Sequence, residues 1–445
     1  MIDPRVAGGL RDLPPSAAIP RERLLAAFRG VFAAHGYLPI ETPHIERVEV
    51  LTGKGAGSAE VLRQIFDVTN KGGTPGELAL RFDLTVPLAR FIAKHVDELG
   101  VPFRRYAIGS VFRGERPAKG RFREFTQCDF DVVGATGPVA DAETVQVVAE
   151  ALAAAGIGGF RVAMNHRQIL NGLLDSLGLA DRSAAVLRSL DKLDKVGREA
   201  VGRELVDGGA AVEAQASAIL DFAERGKGGI EVLDEARSMT GSHEGASAGI
   251  ASLRSTWELL TAAGVPESQR SIDLGLARGL DYYTGIVFET TIAGWEKFGS
   301  VASGGRYDDL AGLFTSRALP GVGGSIGLDR LLALMDEAGW LAGKAAGVPI
   351  LVAQFPGGEA SVAVRLATRI RAADVGVEVY PDPIPIGKQL GYGSTRGHRF
   401  AVIVGPDEAA REVFNLRDLA TRQERKAIPW AELEATVIEA VGKTE

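Results

Sequence analysis

Strand-like patterning occurs in this chain in two blocks, separated by a long stretch that reads only as helix, and that interruption limits the folds open to it. Residues 1–173 alternate helical and extended signals, beginning with "RERLLAAFRGVFAAHG", whose apolar positions 24, 25, 28, 31 and 32 predict a helix stopped by Gly36. Residues 174–268 are rich in Ala, Leu, Glu, Arg and Asp at helical spacing, as in "DRSAAVLRSLDKLDKVGREAVGREL". Extended signals return at "QRSIDLGLARGLDYYTGIVFETTI". A sheet fed from both sides of a helical stretch must carry that stretch as an insertion. The expectation is an α+β domain split into 1–173 and 269–338 around a helical insertion domain at 174–268, its antiparallel sheet flanked by helices. After a linker at 339–348, residues 349–445 read as β, α, β, α, β through "PILVAQF", "VGVEVYP" and "RFAVIVG", a small α/β domain with a mostly parallel sheet. A chain of 445 residues is too long for one ordinary core, in keeping with several domains.

Composition narrows the chemistry. One cysteine, Cys128, excludes an internal disulfide and a thiolate zinc cluster, and the six histidines are scattered without metal-ligand spacing. No window offers the roughly 18 uncharged apolar residues of a membrane span, and "MIDPRVAGGLRDLPP" has no apolar signal core, so a cytoplasmic protein without membrane contact is expected. The net charge of -7 argues against a nucleic-acid coat protein, yet it hides a local reversal. Arg104, Arg105, Arg113, Arg116, Lys119, Arg121 and Arg123 stand against Glu115 alone, interleaved with Gly114, Pro117 and Gly120. That pattern predicts either a solvated charged loop or a hairpin that turns several guanidinium groups toward one anion.

The hairpin would feed directly into "REFTQCDFDVVG". Two-residue periodicity puts Cys128, Phe130 and Val132 on a core face and Phe125, Gln127, Asp129 and Asp131 on the other, with alternate side chains about 6 to 7 Å apart. The polar face suits either the wet side of an antiparallel sheet or a recognition surface beside the arginines. In "ELALRFDLTVPLARFIAKHVDELG" a strand ends near Phe82, and a helix carrying Leu88, Phe91, Ile92 and Val96 on one face runs to Gly100. Asp83 and Thr85 serve there as N-cap or as ligands, with Thr85 as the expected cap. Two glycine-rich runs, "SGGRYDDL" (303–310) and "GVGGSIGLDRLLALM" (321–335), mark close backbone approach. The spacing G-x-G-G-x-x-G, without a βαβ unit around it, is no dinucleotide fingerprint.

Taken together these stretches resemble the histidyl-tRNA synthetases, of the class II aminoacyl-tRNA synthetase type, over nearly the whole chain. "GYLPIETPHIE" resembles motif 1, with Pro43 in the dimer-forming element. The segment from Arg104 to Gly134 resembles motif 2, with an F-R-x-E core at Phe112, Arg113 and Glu115, and "GVGGSIGLDRLLALM" resembles motif 3, with Arg330. "RGLDYYTGIVFE" and "SGGRYDDL" are similar to the two signatures peculiar to the histidine enzymes.

The resemblance implies activation of L-histidine with ATP and Mg²⁺, transfer to histidine tRNA, and a homodimer. It places Arg113 and Arg278 as the catalytic pair on either side of the α-phosphate, and Arg121 and Arg330 near the γ-phosphate. Phe125, opposite Arg330, would hold adenine, and Glu115 completes the ATP site. The run Asp83, Leu84, Thr85 with Gln127 would surround the α-amino group, while Asp131, Tyr282 and Tyr283 would bond the imidazole. Asp83 and Asp131 look like the eukaryotic or archaeal branch, where many bacterial members carry glutamate. Ala118 stands where bacterial members often have glutamine for reading the extra 5′ guanosine of the tRNA. The C-terminal domain resembles an anticodon-binding domain, with Lys388, Arg396 and Arg399 as phosphate contacts. The alternative is the non-catalytic, synthetase-like regulatory subunit of histidine biosynthesis, which usually lacks that domain.

Overall fold

The computed structural model describes residues 1–53, 58–277, 282–341 and 347–442. It falls into two compact units, Met1–Asp12 with Arg21–Ala338, and Leu13–Pro20 with Gly339–Glu445. Arg278 and the rest of 278–281 lie outside the described residues, as does part of the expected linker.

The first unit is organised by a nine-stranded sheet. In chain order its strands are β1 (Leu38–Pro39), β2 (Phe103–Phe112), β3 (Glu124–Val133), β4 (Phe160–His166), β5 (Lys227–Gly228), β6 (Arg270–Asp273), β7 (Ile286–Ile292), β8 (Ala302–Arg306) and β9 (Gly321–Gly327). In space they run β1-β2-β3-β9-β8-β7-β4-β6-β5. The six central strands, β2 through β4, are antiparallel to one another, and β1 and β6 add in parallel outside them. Residues from both sides of the helical stretch therefore interleave in one sheet, as the pattern required. That stretch is not purely helical, however: Lys227–Gly228 pairs antiparallel with Arg270–Asp273 as an edge strand. Two residues flanked by glycines are too short to show a period.

One sheet face is the core. Cys128, Phe130 and Val132 are at most 1% exposed, and the helix Pro15–Ala34 lays Leu24, Leu25, Phe28 and Phe32 inward. The Phe32 and Phe130 rings meet at 5.2 Å. Each such buried side chain contributes about 1.5–3 kcal/mol of transfer free energy. Across the core the helix Pro138–Ala154 presents Asp141 to the sheet, where its Oδ1 accepts from Arg306 Nε at 3.0 Å and Nη2 at 2.6 Å. Arg306 Nη1 donates to Ala135 O at 2.7 Å. Replacing Arg306 by leucine leaves a buried carboxylate without its cation, and we expect a loss of about 3–5 kcal/mol, read from the denaturant midpoint. Retention of the wild-type midpoint would contradict that account of the arginine.

The second unit has five strands in the order Val377–Val379, Ile350–Gln354, Phe400–Val404, Val413–Asp418, Glu424–Pro429. The first three are parallel, as expected, but the last two are antiparallel, so the sheet is mixed. The added hairpin is legible only in part. Phe414 and Leu416 alternate inward, whereas "ERKAIP" buries Ile428 alone. Helices Ala360–Ala372 and Leu433–Gly442 close the core through Leu366, Ile370, Leu433 and Val437.

Candidate active site

The other face of the sheet carries the predicted polar residues, and register brings them into rows. Arg105 faces Asp131, Asp131 faces Gly323, and Gly323 faces Gly305. The next row is Ala107, Asp129, Ser325 and Ser303, and the one after is Gly109, Gln127 and Gly327. Alternation thus places Gln127, Asp129 and Asp131 together, and of the two readings of this face the wet side does not hold: Asp129 is 2% and Asp131 3% exposed. Buried carboxylates need partners, and Arg105, itself fully buried, is one.

Glycine makes the space. A Cβ on Gly323 would stand 2.0 Å from Asp131 Oδ1, and one on Gly305 2.8 Å from the Tyr283 ring. Beneath them, Cβ atoms on Gly304 and Gly324 would strike the Phe288 and Phe130 rings at 2.5 and 2.8 Å. Paired glycines on neighbouring strands thus clear both faces at once, so the polar groups above and the rings below share one thin layer of backbone.

Asp131 is held on two sides. Tyr307 OH donates to Oδ1, and Arg105 Nη2 lies 2.5 Å from Oδ2. The ion pair is one of charge rather than hydrogen-bond direction: Nη2 donates to Leu84 O at 3.3 Å, and Oδ2 has no hydrogen-bond donor among the described residues. Burial pushes the Asp131 carboxyl up, opposed by Arg105 and the Tyr307 hydroxyl. Asp129 is lifted to about 7, by burial first, with Arg105 opposing and Asp131 adding. Gln127 Nε2 donates to Ser325 Oγ at 3.0 Å, and its Oε1 is a buried acceptor without a donor among the described residues.

Asp83 approaches from the helix Thr85–Leu99. Its Oδ1 accepts from Thr85 N at 3.1 Å and Val86 N at 2.9 Å, so the side chain that closes the first turn comes from Asp83, one residue ahead of Leu84 at the N-cap, and not from Thr85. Burial raises its pKa; the Val86 N–H and then Arg113 act against that shift. Of the expected face the helix buries Leu88, Ile92 and Val96, while Phe91 is only partly buried. Tyr282 and Tyr283 are partly buried, with rings 4.8 Å apart, and Tyr282 reaches Tyr307 at 6.1 Å.

The basic segment forms a hairpin, with β2 and β3 as its arms, but several of its cations are held by other partners. Arg104 pairs with Glu143 at 2.9 Å on the side opposite Arg105, because neighbours on a strand face opposite ways. Arg123 Nη1 donates to Gly8 O at 3.0 Å, Lys119 pairs with Glu337, and Arg121 stands 3.9 Å from Glu115 at the surface. Arg113 keeps the central position. Its guanidinium lies 4.4 Å from the Phe82 ring centroid and 5.2 Å from that of Phe125, and Nε donates to Phe82 O at 3.3 Å. Arg330 Nη1 donates to Ser300 O at 2.6 Å, and its stem lies beside Gly120 of the hairpin loop. In the second unit Arg399 is committed to Asp418 at 2.6 Å, and Arg396 lies 5.5 Å over Tyr392.

Two residues of the site escaped sequence reasoning. In the sequence Arg105 is one basic residue of the hairpin among seven, and Tyr307 sits inside a run marked by its glycines, so neither stands out. The available signal was the buried carboxylate pair, which demands a cation and a donor nearby.

An antiparallel six-strand core, a motif 2 hairpin and a glycine-rich strand running straight into an arginine-bearing helix define a class II aminoacyl-tRNA synthetase. Residues 9–331 match the family model described as Histidyl-tRNA synthetase, and residues 350–440 match Anticodon binding domain. The histidine–tRNA ligase of Rhodopirellula baltica is 46% identical over 441 residues, 99% of each chain. That of Wolinella succinogenes is 40% identical over 430 residues, 96% of each. The crystal structure of histidyl-tRNA synthetase from Nostoc sp. PCC 7120 superposes with a TM-score of 0.88 at 34% identity, covering 99% of this chain and 100% of that one. The chain belongs to the histidyl-tRNA synthetase family and is an enzyme, a histidine–tRNA ligase.

Proposed function

We propose that the described face of the sheet activates histidine and that its residues divide the work as follows. Asp131, with Tyr282 and Tyr283, bonds the imidazole; Asp83, Leu84, Thr85 and Gln127 surround the α-amino group. Arg113 and Arg278 flank the α-phosphate, Arg121 and Arg330 meet the γ-phosphate, and Phe125 with Glu115 seats the adenosine. A histidine carboxylate oxygen attacks the α-phosphorus while the bond to pyrophosphate breaks; two anions meet in line, so fixed cations lower the barrier. In the second step a terminal ribose hydroxyl of tRNA attacks the adenylate carbonyl and AMP leaves.

The observation that carries this reading is the set of buried acceptors without donors among the described residues, Asp131 Oδ2 and Gln127 Oε1, on the strand whose Phe125 ring faces Arg113. A ligand bearing an imidazole N–H and an ammonium satisfies them, and one lacking the ring leaves a buried acceptor unpaired, a discrimination of roughly 10⁴ to 10⁵. Mg²⁺ fits as an ion held by the ATP phosphates, since the described residues contain no cluster of three potential ligands; bound there, it supplies charge neutralisation. We also place the enzyme in the cytoplasm as a homodimer. No described helix is long and apolar enough to cross a membrane. Leu38 and Ile45, 56% and 45% exposed along the motif 1 segment, suit a second copy. A match to the anticodon-binding model over 350–440 leaves the regulatory-subunit alternative without its expected truncation.

The test is histidine-dependent ATP–pyrophosphate exchange by the purified protein. Arg278→Ala is expected to lower turnover by about 10² or more with little change in ATP affinity. Exchange driven by another amino acid, or none, would refute the assignment.

A further inference from the structure

The pocket floor holds more charge than ligand recognition alone requires. Arg105 is 0% exposed, the largest fully buried side chain of the molecule's described part, and nothing in the reaction needs a cation beneath the ring. Its Nη2 is 2.5 Å from Asp131 Oδ2 without a directed hydrogen bond, and its Nε and Nη1 have no hydrogen-bond partner among the described residues. Three donors are thus left unused in the interior, a costly arrangement. The interaction that remains is Coulombic.

A buried carboxylate alone would prefer a cationic partner, and histidine can supply one by protonating its ring. With a guanidinium already 2.5 Å away, the same carboxylate belongs to a neutral pair. It then offers Oδ2 as an acceptor for a neutral ring N–H, and a second positive charge gains much less from it than from a lone carboxylate. We propose that Arg105 is a specificity-determining positioning residue: by neutralising Asp131 inside the sheet it makes the pocket take histidine with a neutral imidazole in preference to imidazolium. The inference rests on the proposed role of Asp131 and adds the protonation state of the substrate. Tyr307 fixes the orientation, since its hydroxyl occupies Oδ1 and leaves Oδ2 as the buried carboxylate oxygen without a donor among the described residues. The other ionisable groups around Asp131 are Asp129 on its own strand, Asp83 ahead of the Thr85–Leu99 helix, Tyr37 ahead of β1, and Tyr283, which bears on Tyr307. Among the described residues none of them is a cation, and burial pushes both neighbouring carboxyls toward their neutral forms.

The experiment is the KM for histidine in pyrophosphate exchange at pH 6 and pH 8, with triazolylalanine, whose ring stays neutral across that range, as a parallel substrate. An unperturbed histidine side chain titrates near 6.5, and somewhat lower beside the α-ammonium of the free amino acid, so the wild-type enzyme should show a histidine KM about two- to fourfold higher at pH 6 than at pH 8, beyond any change with the triazole. In Arg105→Gln the pH 8 value should rise about tenfold or more, and the pH 6 to pH 8 ratio should fall to one or below, because the uncompensated carboxylate now favours imidazolium. Arg105→Lys, which restores the charge, should restore the wild-type ratio. A merely structural arginine would leave the ratio unchanged while raising both values, and that outcome overturns the inference, as does Arg105→Lys behaving like Arg105→Gln. If Arg105→Gln does not fold, the double variant with Asp131→Asn removes both charges. It should fold and keep a ratio above one, and a ratio below one would defeat the proposal. Absence of histidine-dependent exchange in the wild type at pH 8 would instead remove the underlying site assignment.

Discussion

Gly323→Ala is expected to lower kcat/KM for histidine by about 10³ while the KM for ATP moves by less than about threefold. The added methyl would sit 2.0 Å from Asp131 Oδ1 and 2.6 Å from Phe130 O. Neither neighbour can give way cheaply. Phe130 O belongs to the strand β3, and β9 is hydrogen-bonded on both sides, to β3 and β8, so the backbone has no direction in which to retreat. The carboxylate must therefore rotate, which breaks the contact from Tyr307 and moves Oδ2 away from Arg105. A displacement near 1 Å at a positioned acceptor already costs about two orders of magnitude, and loss of a hydrogen bond to a charged group adds to it. Overpacking of this kind costs about 1–3 kcal/mol of stability, so a lowered but cooperative melting transition should accompany the defect. An unchanged histidine KM in the folded variant would show that Asp131 does not face the ligand.

The same residue shows how far the sequence could be read. Alternation in "FTQCDFD" placed Asp129 and Asp131 on one strand face, because period two is a property of local backbone. Whether that face is wet depends on what covers it, and the cover comes from Tyr307 and from the Thr85–Leu99 helix, remote in sequence. Arg105 lies 26 positions before Asp131, and its pairing follows from the register of β2 on β3, which is set by the whole hairpin. The glycine runs announced close approach without saying to what. The structure answers with Asp131 and Tyr283 above, Phe130 and Phe288 below. Basic density misled for a related reason: Arg104 and Arg105 are adjacent in sequence and opposite in space. The C-terminal hairpin stayed hidden because its outer strand buries Ile428 and little else, so its pairing is decided by the neighbouring strand rather than by its own composition.

Arg113→Ala is expected to reduce the rate of adenylate formation in a single turnover by about 10³, and Arg113→Lys by about 10². The guanidinium plane is fixed by two rings, Phe82 at 4.4 Å and Phe125 at 5.2 Å, and by the Nε contact to Phe82 O. A preset plane stabilises charge that develops on a phosphoryl oxygen without reorganising during the reaction; an ammonium restores the charge but not the plane. Histidine affinity at pH 8 should change little, which separates this defect from that of Gly323→Ala. It should not stay constant as pH falls. Arg113 is among the groups that hold down the Asp83 carboxyl against the upward push of burial, so its removal raises that pKa further. A carboxyl with a higher pKa is protonated sooner on acidification, and its grip on the α-ammonium is then lost. The histidine KM of Arg113→Ala should accordingly climb at a higher pH than that of the wild type. Coincident profiles would mean that Arg113 and Asp83 do not share the electrostatics of one site.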